Sequence, residues 1–393
     1  MKINKNYASL KGNYLFATVS TKVSEFLKNN PSTKLINMGI GDVTKPLCEA
    51  VIKNIKSATD QMSNSETFKG YGPYRGYDFL INPIIKKYEQ DGIFLEESEV
   101  FISDGAKSDC ANILNIFGEN QTVLIPDPVY PAYMDTNIMC GNKIIFADAT
   151  KENNFLPMPN FDVDVDIIYI CSPNNPTGAT YTKSQLKTWV NYANEKNAVI
   201  LFDSAYKAFV EDENLPKSIF EVEDAKKCAI EISSFSKSAG FTGTRCGYTI
   251  VPKELIRDDC HLKDMWFRHQ SSNFNGVAYI VQKGAEAIFS QEGEKQIKEN
   301  LNYYKENAKI ICQTLDEMNV FYTGGKNSPY IWFETINTND SWEFFDVLLN
   351  ELNIVGTPGE GFGKNGKNFF RLTAFGEKQE TIKAMEKLKN FFK

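Results

Sequence analysis

An α/β fold with a mostly parallel central sheet flanked by helices, joined to a smaller α+β domain, is predicted by three features of this 393-residue chain. Its length exceeds what one ordinary core supports, so a large and a small domain are expected. From about residue 80 to 250, short apolar runs alternate with longer amphipathic stretches, the rhythm of βαβ units. After Asn275 the pattern changes to long helical segments followed by isolated strand-like runs.

The strands expected in the first region are Val100–Ile102, Thr122–Ile125, Lys143–Phe146, Ile167–Ile170, Val199–Phe202, Ala229–Ile232 and Gly247–Val251. Helices are expected from Ala106 to Phe117 and from Ser184 to Asn194, the second carrying Leu186, Trp189, Val190 and Ala193 at helical spacing. Gly118 and Lys196-Asn197 end them, and Pro252 closes the last strand. Beyond Asn275 come helices from Val277 to Phe289 and Glu294 to Met318, a strand at Tyr330–Phe333, a helix around Trp342–Leu352 and a strand at Phe369–Leu372. A terminal helix follows, with Ile382, Met385, Leu388 and Phe392 on one core-covering face. The Gly-rich stretch from Gly356 to Gly366 reads as either a mobile flap or a wide connection. Residues 1–42 are expected to form an N-terminal arm and part of the small domain, 43–285 the large domain, and 286–393 the C-terminal small domain.

A net charge of −7 and the absence of a dense Lys/Arg block argue against a nucleic-acid partner. No apolar run reaches membrane-spanning length and the N-terminal residues lack a signal-peptide core, so a cytoplasmic protein with no membrane partner is expected. The eight cysteines are scattered without a C-x-x-C pair, as reduced packing thiols would be. Only His261 and His269 occur, neither at metal spacing, which disfavours a zinc site or a Ser-His-Asp triad. Acid–base chemistry must use another group, and lysine leads.

Ser234-Phe-Ser-Lys-Ser-Ala-Gly-Phe-Thr-Gly-Thr-Arg245 directly follows the apolar run Cys228–Ile232 and places Lys237 on a tight turn at a strand end. A lysine there can form an imine with an aldehyde cofactor while Ser234, Ser236 and Arg245 hold the cofactor's phosphate, which points to pyridoxal phosphate. The plainer alternative is a Ser/Gly loop with a solvated lysine. Ser172-Pro-Asn-Asn-Pro-Thr-Gly178 forms a rigid turn that aims Asn174 and Asn175 outward. In Phe202-Asp-Ser-Ala-Tyr206, Asp203 can pair with a protonated pyridine nitrogen and Tyr206, with Asn175, can hold the ring oxygen. Asp203 taken alone reads equally as a helix cap. Ser103-Asp-Gly-Ala-Lys107 opens a helix and offers backbone N–H groups to an anion, or is an ordinary helix start. Tyr130, between two prolines, can stack on a cofactor ring or pack in a turn. Arg371, inside the run Phe369-Phe-Arg-Leu-Thr, suits either a substrate carboxylate or an internal ion pair.

The ordered motifs Gly-Ala-Lys107, Asp127-Pro-Val-Tyr-Pro, Ser172 to Gly178, Asp203-Ser-Ala-Tyr, Ser234-Phe-Ser-Lys and the late Arg371 resemble those of the fold type I, class I/II aminotransferases. More narrowly, Asn13-Tyr-Leu-Phe16, Met38 to Asp42, Gly70-Tyr-Gly-Pro73, Phe101 to Lys107, Phe241-Thr-Gly, Phe274-Asn-Gly276, Gly325 to Tyr330 and Ala374-Phe-Gly376 resemble the LL-diaminopimelate aminotransferase branch. The resemblance spans nearly the whole chain. It implies the fold of pyridoxal-phosphate-dependent transferases of fold type I, a role in lysine and diaminopimelate biosynthesis, amino-acid and 2-oxo-acid substrates, and a homodimer with shared active sites. It also implies that Lys237 is the imine-forming lysine and proton carrier, with Asp203 and Tyr206 as its catalytic partners. Ala106, Lys107, Ser234, Ser236 and Arg245 then form the phosphate cup, Tyr130 stacks on the ring, and Tyr71 reaches the phosphate of the neighbouring subunit. Arg371 clamps the substrate's α-carboxylate, and Tyr14, Gly41, Lys107, Tyr130, Asn175 and Asn275 meet the rest, Asn275 also reaching the cofactor.

One departure bears on substrate choice. Where the branch usually reads Gly-Tyr-Gly-Pro-Glu-Gln-Gly, with the glutamate attracting a distal ammonium, this chain reads Gly70-Tyr-Gly-Pro-Tyr-Arg-Gly76. Tyr74 replaces the acid and Arg75 adds a positive charge, which disfavours an ammonium nearby. An aminotransferase for another amino acid, lysine-like or a specialised-metabolite precursor, is therefore the alternative. A lyase on the same fold is disfavoured by Arg371. A non-catalytic sensor of the aminotransferase type is disfavoured because the motifs begin by Tyr14, ahead of which no DNA-binding head is expected.

Overall fold

The computed structural model describes residues 1–10, 15–39 and 41–393. A seven-stranded sheet forms its centre: β1 (Val100–Ser103), β2 (Thr122–Asp127), β3 (Lys143–Asp148), β4 (Ile167–Cys171), β5 (Val199–Asp203), β6 (Ala229–Ser234) and β7 (Gly247–Ile250). Each coincides with an expected strand. The spatial order is β1-β7-β6-β5-β4-β2-β3, and only β7 runs antiparallel to its neighbours.

Both faces of this sheet are covered, which is why its strands read as near-continuous apolar runs. Alternate residues feed two cores. Ile168, Ile170, Ile200 and Phe202 pack with Leu186, Trp189, Val190 and Ala193 of helix Lys183–Glu195 on one side. Ile167, Tyr169, Val199, Leu201 and Ile230 pack with Trp266 and Tyr304 on the other. Helix Lys183–Glu195 starts at a capping box, in which Thr182 accepts from the Gln185 N–H and the Gln185 side chain accepts from the Thr182 N–H.

A second, four-stranded antiparallel sheet has the order Tyr322–Gly324, Tyr330–Glu334, Phe369–Thr373, Thr357–Pro358. Its core contains Phe333, Phe344, Phe370 and Leu372, covered by Ala384, Met385 and Leu388 of helix Lys378–Phe392. The short strand Ile36–Asn37 pairs in parallel with Ile354–Val355 and ties the N-terminal part to this body. The expected helix around Trp342–Leu352 is an α-helix over Ser341–Val347 that relaxes into a π-helical turn over Leu348–Leu352. The Gly356–Gly366 stretch is a packed connection: Lys364 and Asn365 N–H groups donate to the Asp127 carboxylate at 3.2 Å each, and Phe362 is buried.

Helix Gln291–Glu317 links the two bodies. At 27 residues it is about 40 Å long, and it buries Ile297 and Tyr304 against the large sheet's cores and Ala308, Ile311 and Leu315 in the small body's core. The Tyr304 hydroxyl accepts the N–H groups of Thr44 and Lys45 at 2.9 and 2.6 Å. One turn on, Asn307 Nδ2 donates to the carbonyls of Ala374 and Gly376 at 3.0 and 2.7 Å. Among the described residues no cluster of His, Cys, Asp or Glu is arranged to hold a metal ion, and no helix is long and apolar enough to cross a membrane.

Candidate active site

After β3 the chain crosses back over β2 to lay down β4, so the carboxyl ends of the parallel strands open a crevice at the point where strand order reverses. A cavity of about 430 Å³ lies there. Its lining includes Gly41, Ala106, Lys107, Tyr130, Asn175, Asp203, Tyr206, Ser234, Ser236, Lys237 and Arg245. Segments as far apart in sequence as Gly41 and Arg245 are thus brought onto one surface.

Lys237 sits in the single helical turn Phe235–Ser238 that follows β6. Ser234 ends the strand and caps the turn, its Oγ accepting the Ser236 N–H at 3.0 Å. The Lys237 ammonium donates to the Gly41 carbonyl. Burial pushes Lys237 down to about 8; Asp42 opposes the fall, and Arg371 and Arg245 reinforce it. An amine in that range is about one-tenth free base at pH 7 and about half free base at pH 8, far more than an ordinary lysine.

Gly105 has φ of 121° and leads into helix Ala106–Asn112. A Cβ on Gly105 would lie 2.4 Å from Arg245 Nη2, so only glycine lets that guanidinium approach the start of the helix. Arg245, itself in the left-handed region at φ 58°, is held by Nη1 bonds to Ser236 Oγ at 3.1 Å and the Thr242 carbonyl at 3.2 Å. Backbone N–H groups at a helix start, two hydroxyls and a guanidinium make an anion cradle.

Asp203 lines the same cavity, terminates β5 and is buried. Its carboxylate accepts from Tyr133 Oη at 2.5 Å and from the Ala205 N–H at 2.9 Å. Burial raises its proton affinity despite these bonds, the state of a carboxyl that a cation beside it would hold ionised. Asn175 Nδ2 points to Tyr206 Oη at 3.5 Å, and Tyr206 Oη meets Tyr330 Oη at 2.8 Å. Arg371 is fully buried on the central strand of the small sheet. Its Nη1 donates to Asn175 Oδ1 at 2.7 Å and its Nη2 to the Gly39 carbonyl at 2.9 Å, with its guanidinium 4.6 Å from the Tyr330 ring and 4.8 Å from Phe362. The large and small bodies therefore meet through Asn175.

These residues fit pyridoxal phosphate on chemical grounds. The anion cradle can take a phosphate, the buried Asp203 can take a pyridinium N–H, and Lys237 lines the same cavity as both. Tyr130, which precedes helix Pro131–Cys140, lines the same cavity with its ring set edge-on to Tyr133.

Five described sequence-predicted residues lie outside that lining: Arg371, which reaches it through Asn175, and Tyr71, Tyr74, Arg75 and Asn275. Tyr71 is 89 % exposed and Tyr74 46 % exposed. Tyr74 and the half-buried Arg75 line a separate surface cleft with Ser98, Lys263, Asp264 and Phe267. Exposed Asn275 sits beside them, since an added Cβ on its neighbour Gly276 would contact the Pro73 carbonyl at 3.5 Å. Tyr14 lies outside the described residues.

Two residues of the site carry no role in the sequence reading. Tyr133, three residues after Tyr130 and hence one helical turn on, orients Asp203; its spacing was the available signal. Tyr330 bonds Tyr206 from the other sheet, a partnership that only tertiary structure reveals.

The model of the family "Aminotransferase class I and II" matches residues 33–388. An LL-diaminopimelate aminotransferase of Methanosphaera stadtmanae is 48 % identical over 406 aligned positions, covering 99 % of this chain and 98 % of that protein. One from Azobacteroides pseudotrichonymphae is 49 % identical over 396 positions, with 99 % and 98 % covered. The solved structure of L,L-diaminopimelate aminotransferase from Chlamydomonas reinhardtii superposes with a TM-score of 0.94 at 35 % identity, covering 100 % of this chain and 99 % of that one. With the lysine, the carboxylate and the anion cradle in one crevice, this chain belongs to the class I and II aminotransferases, which are pyridoxal-phosphate-dependent enzymes.

Proposed function

We propose that the protein transfers the amino group between LL-diaminopimelate and 2-oxoglutarate, as a cytoplasmic homodimer serving lysine and diaminopimelate biosynthesis. The observation that carries the reaction class is the convergence of Lys237, Asp203 and the Arg245 cradle on one cavity. The substrate reading is supported by relatives of that name at 48 and 49 % identity over almost the whole chain. In this reading residues 43–285 are the cofactor-binding domain, and 1–42 with 286–393 complete the small domain.

Pyridoxal phosphate supplies an aldehyde carbon that takes an amine and an electron-poor ring that stabilises negative charge. Ala106, Lys107, Ser234, Ser236 and Arg245 would hold its phosphate, and Asp203, ionised, would keep the ring nitrogen protonated. Asn175 and Tyr206 would hold the ring oxygen, and Tyr130 would line the ring. Arg371 fixes the substrate's α-carboxylate, with Gly41 and Asn175 shaping the wall beside it. Lys237, poised at about 8, would be the base that takes the proton from the substrate Cα and carries it within the site. Lys107 lines both this cavity and an adjoining one of about 810 Å³, where it can meet a distal carboxylate.

The exposed aromatic side chains Phe68, Tyr71, Tyr74 and Phe267 support a subunit interface, through which Tyr71 and Asn275 reach the partner's site. Light scattering that gave only the 44.5 kDa protomer mass would remove that shared site. The function is tested by incubating the holoenzyme with LL-diaminopimelate and 2-oxoglutarate and following glutamate. No turnover, with rapid turnover of another amino acid, would overturn the substrate. Tyr74 and Arg75 favour that second reading, a related aminotransferase for a different donor. Under it, Tyr74→Glu raises diaminopimelate turnover, and an unchanged donor profile counts against the explanation.

A further inference from the structure

Glu231 lies in the middle of β6 with its side chain fully buried. Four donors converge on its carboxylate. Oε1 accepts from Tyr88 Oη at 2.5 Å, Ser204 Oγ at 2.9 Å and Lys207 Nζ at 3.0 Å, and Oε2 accepts from Ser218 Oγ. Lys207 also donates to Tyr88 Oη at 2.6 Å and lies 4.4 Å from the Tyr88 ring and 5.4 Å from that of Tyr248. Burial works against its charge, but Glu231 and Tyr248 more than offset this and hold the ammonium above its ordinary range.

Two of these donors bracket the catalytic turn. β5 and β6 pair so that Phe202 faces Glu231 and Asp203 faces Ile232. The next residues alternate: Asp203, Ala205 and Tyr206 line the cavity, whereas Ser204 and Lys207 turn to Glu231. The backbone completes the clamp, with Ser204 N–H on the Ile232 carbonyl at 2.9 Å and Lys207 N–H on the Ser204 carbonyl at 3.0 Å. Tyr88 on helix Asp78–Gln90 and Ser218 on a following loop anchor the same carboxylate to the large domain. A buried ion pair is a poor source of stability compared with apolar packing, so its use beneath this turn points to geometry.

We propose that Glu231, bonded to Ser204 and paired with Lys207, is a positioning residue that fixes the Asp203–Tyr206 turn and so places the Tyr206 hydroxyl in the cavity. This rests on the reading that Tyr206 holds the cofactor's ring oxygen. The test is a double-mutant cycle of Glu231→Gln and Tyr206→Phe in the holoenzyme, read by the pH midpoint of the bound cofactor's visible absorbance and by half-reaction rates. Near-UV circular dichroism establishes that each variant is folded. Tyr206→Phe displaces the midpoint by about one pH unit, and Glu231→Gln displaces it by about half a unit, roughly threefold in proton affinity. In the Tyr206→Phe background the Glu231→Gln displacement falls to less than about a third of that, because the two act through one hydroxyl. Half-reaction rate falls about tenfold in Glu231→Gln while KM for the amino acid stays within about twofold.

An unmoved midpoint in folded Glu231→Gln, or an equal displacement in both backgrounds, overturns the proposal while leaving Tyr206 in its role. An unmoved midpoint in Tyr206→Phe overturns that role, and the proposal with it. Should Glu231→Gln not fold, Ser204→Ala takes its place in the cycle: a smaller shift in the same direction supports the clamp, and none refutes it.

Discussion

The cradle around Lys237 and the surface around Tyr74 are built on opposite plans. The cradle is made at the ends of central strands, is largely buried, and is held by hydrogen bonds within one chain, from Tyr133 to Asp203 and from Arg245 to Ser236. The Tyr71–Arg75 loop and Asn275 lie on connections, expose aromatic rings, and meet the cradle nowhere within the protomer's cavity lining. In the proposed reading, rigid strand ends hold the cofactor chemistry, and surface loops hold the choice of substrate, where a substitution leaves the sheet undisturbed.

Breaking the cradle at its lysine has the largest effect. Lys237→Ala lowers transamination by roughly 10⁴-fold while circular dichroism stays native; residual activity within tenfold of the parent would refute its role as base. Asp203→Asn, in the same cavity, lowers kcat by about 10²- to 10³-fold, because a neutral amide no longer holds the ring nitrogen protonated. Arg371→Lys keeps the charge but loses the planar fork. It raises KM for the amino acid about 10- to 100-fold, and an unchanged KM in steady-state kinetics would release Arg371 from carboxylate binding.

The cofactor-free protein gives a subtler contrast. Lys237 falls from the ordinary lysine value of 10.5 to about 8 in the folded chain. Between those values the unfolded chain binds a proton that the folded chain does not, so stability rises with pH across that window and the contribution is lost as pH falls through 8. Urea titrations of the cofactor-free protein and of Lys237→Met should differ in slope by up to about 1.4 kcal/mol per pH unit there; parallel curves would contradict the shift. The smallest effect belongs to the outer surface. Tyr71→Phe weakens cofactor retention about three- to tenfold, and only in a dimer, so equal retention measured by dialysis detaches that loop from the cradle.

The seven strands were legible because a sheet covered on both faces must be apolar along its whole length, as in Ile167–Cys171 and Val199–Asp203. The direction of β7 was not, since orientation depends on how connections pack. Lys237, Asp203 and Arg245 were legible as residue types with few other uses at strand ends. Tyr133 and Tyr330 were not, because each acts on a side chain 70 or 124 residues away. Glu231 was read simply as part of the buried run Cys228–Ile232, although a carboxylate in such a run must find donors and here recruits four. The Gly356–Gly366 stretch illustrates the opposite limit, where glycine content suggests freedom and the docking on Asp127 removes it.

Helix Gln291–Glu317 has a consequence for how the molecule melts. Through Tyr304 and Asn307, one turn apart, it grips both the segment just past Asp42 and the segment just past Arg371 while crossing the cores of both bodies. Neither body can lose its core without fraying the helix that completes the other. The two should therefore unfold as one cooperative unit, and calorimetry should record a single transition in which the lysine's crevice and the arginine's strand are lost together.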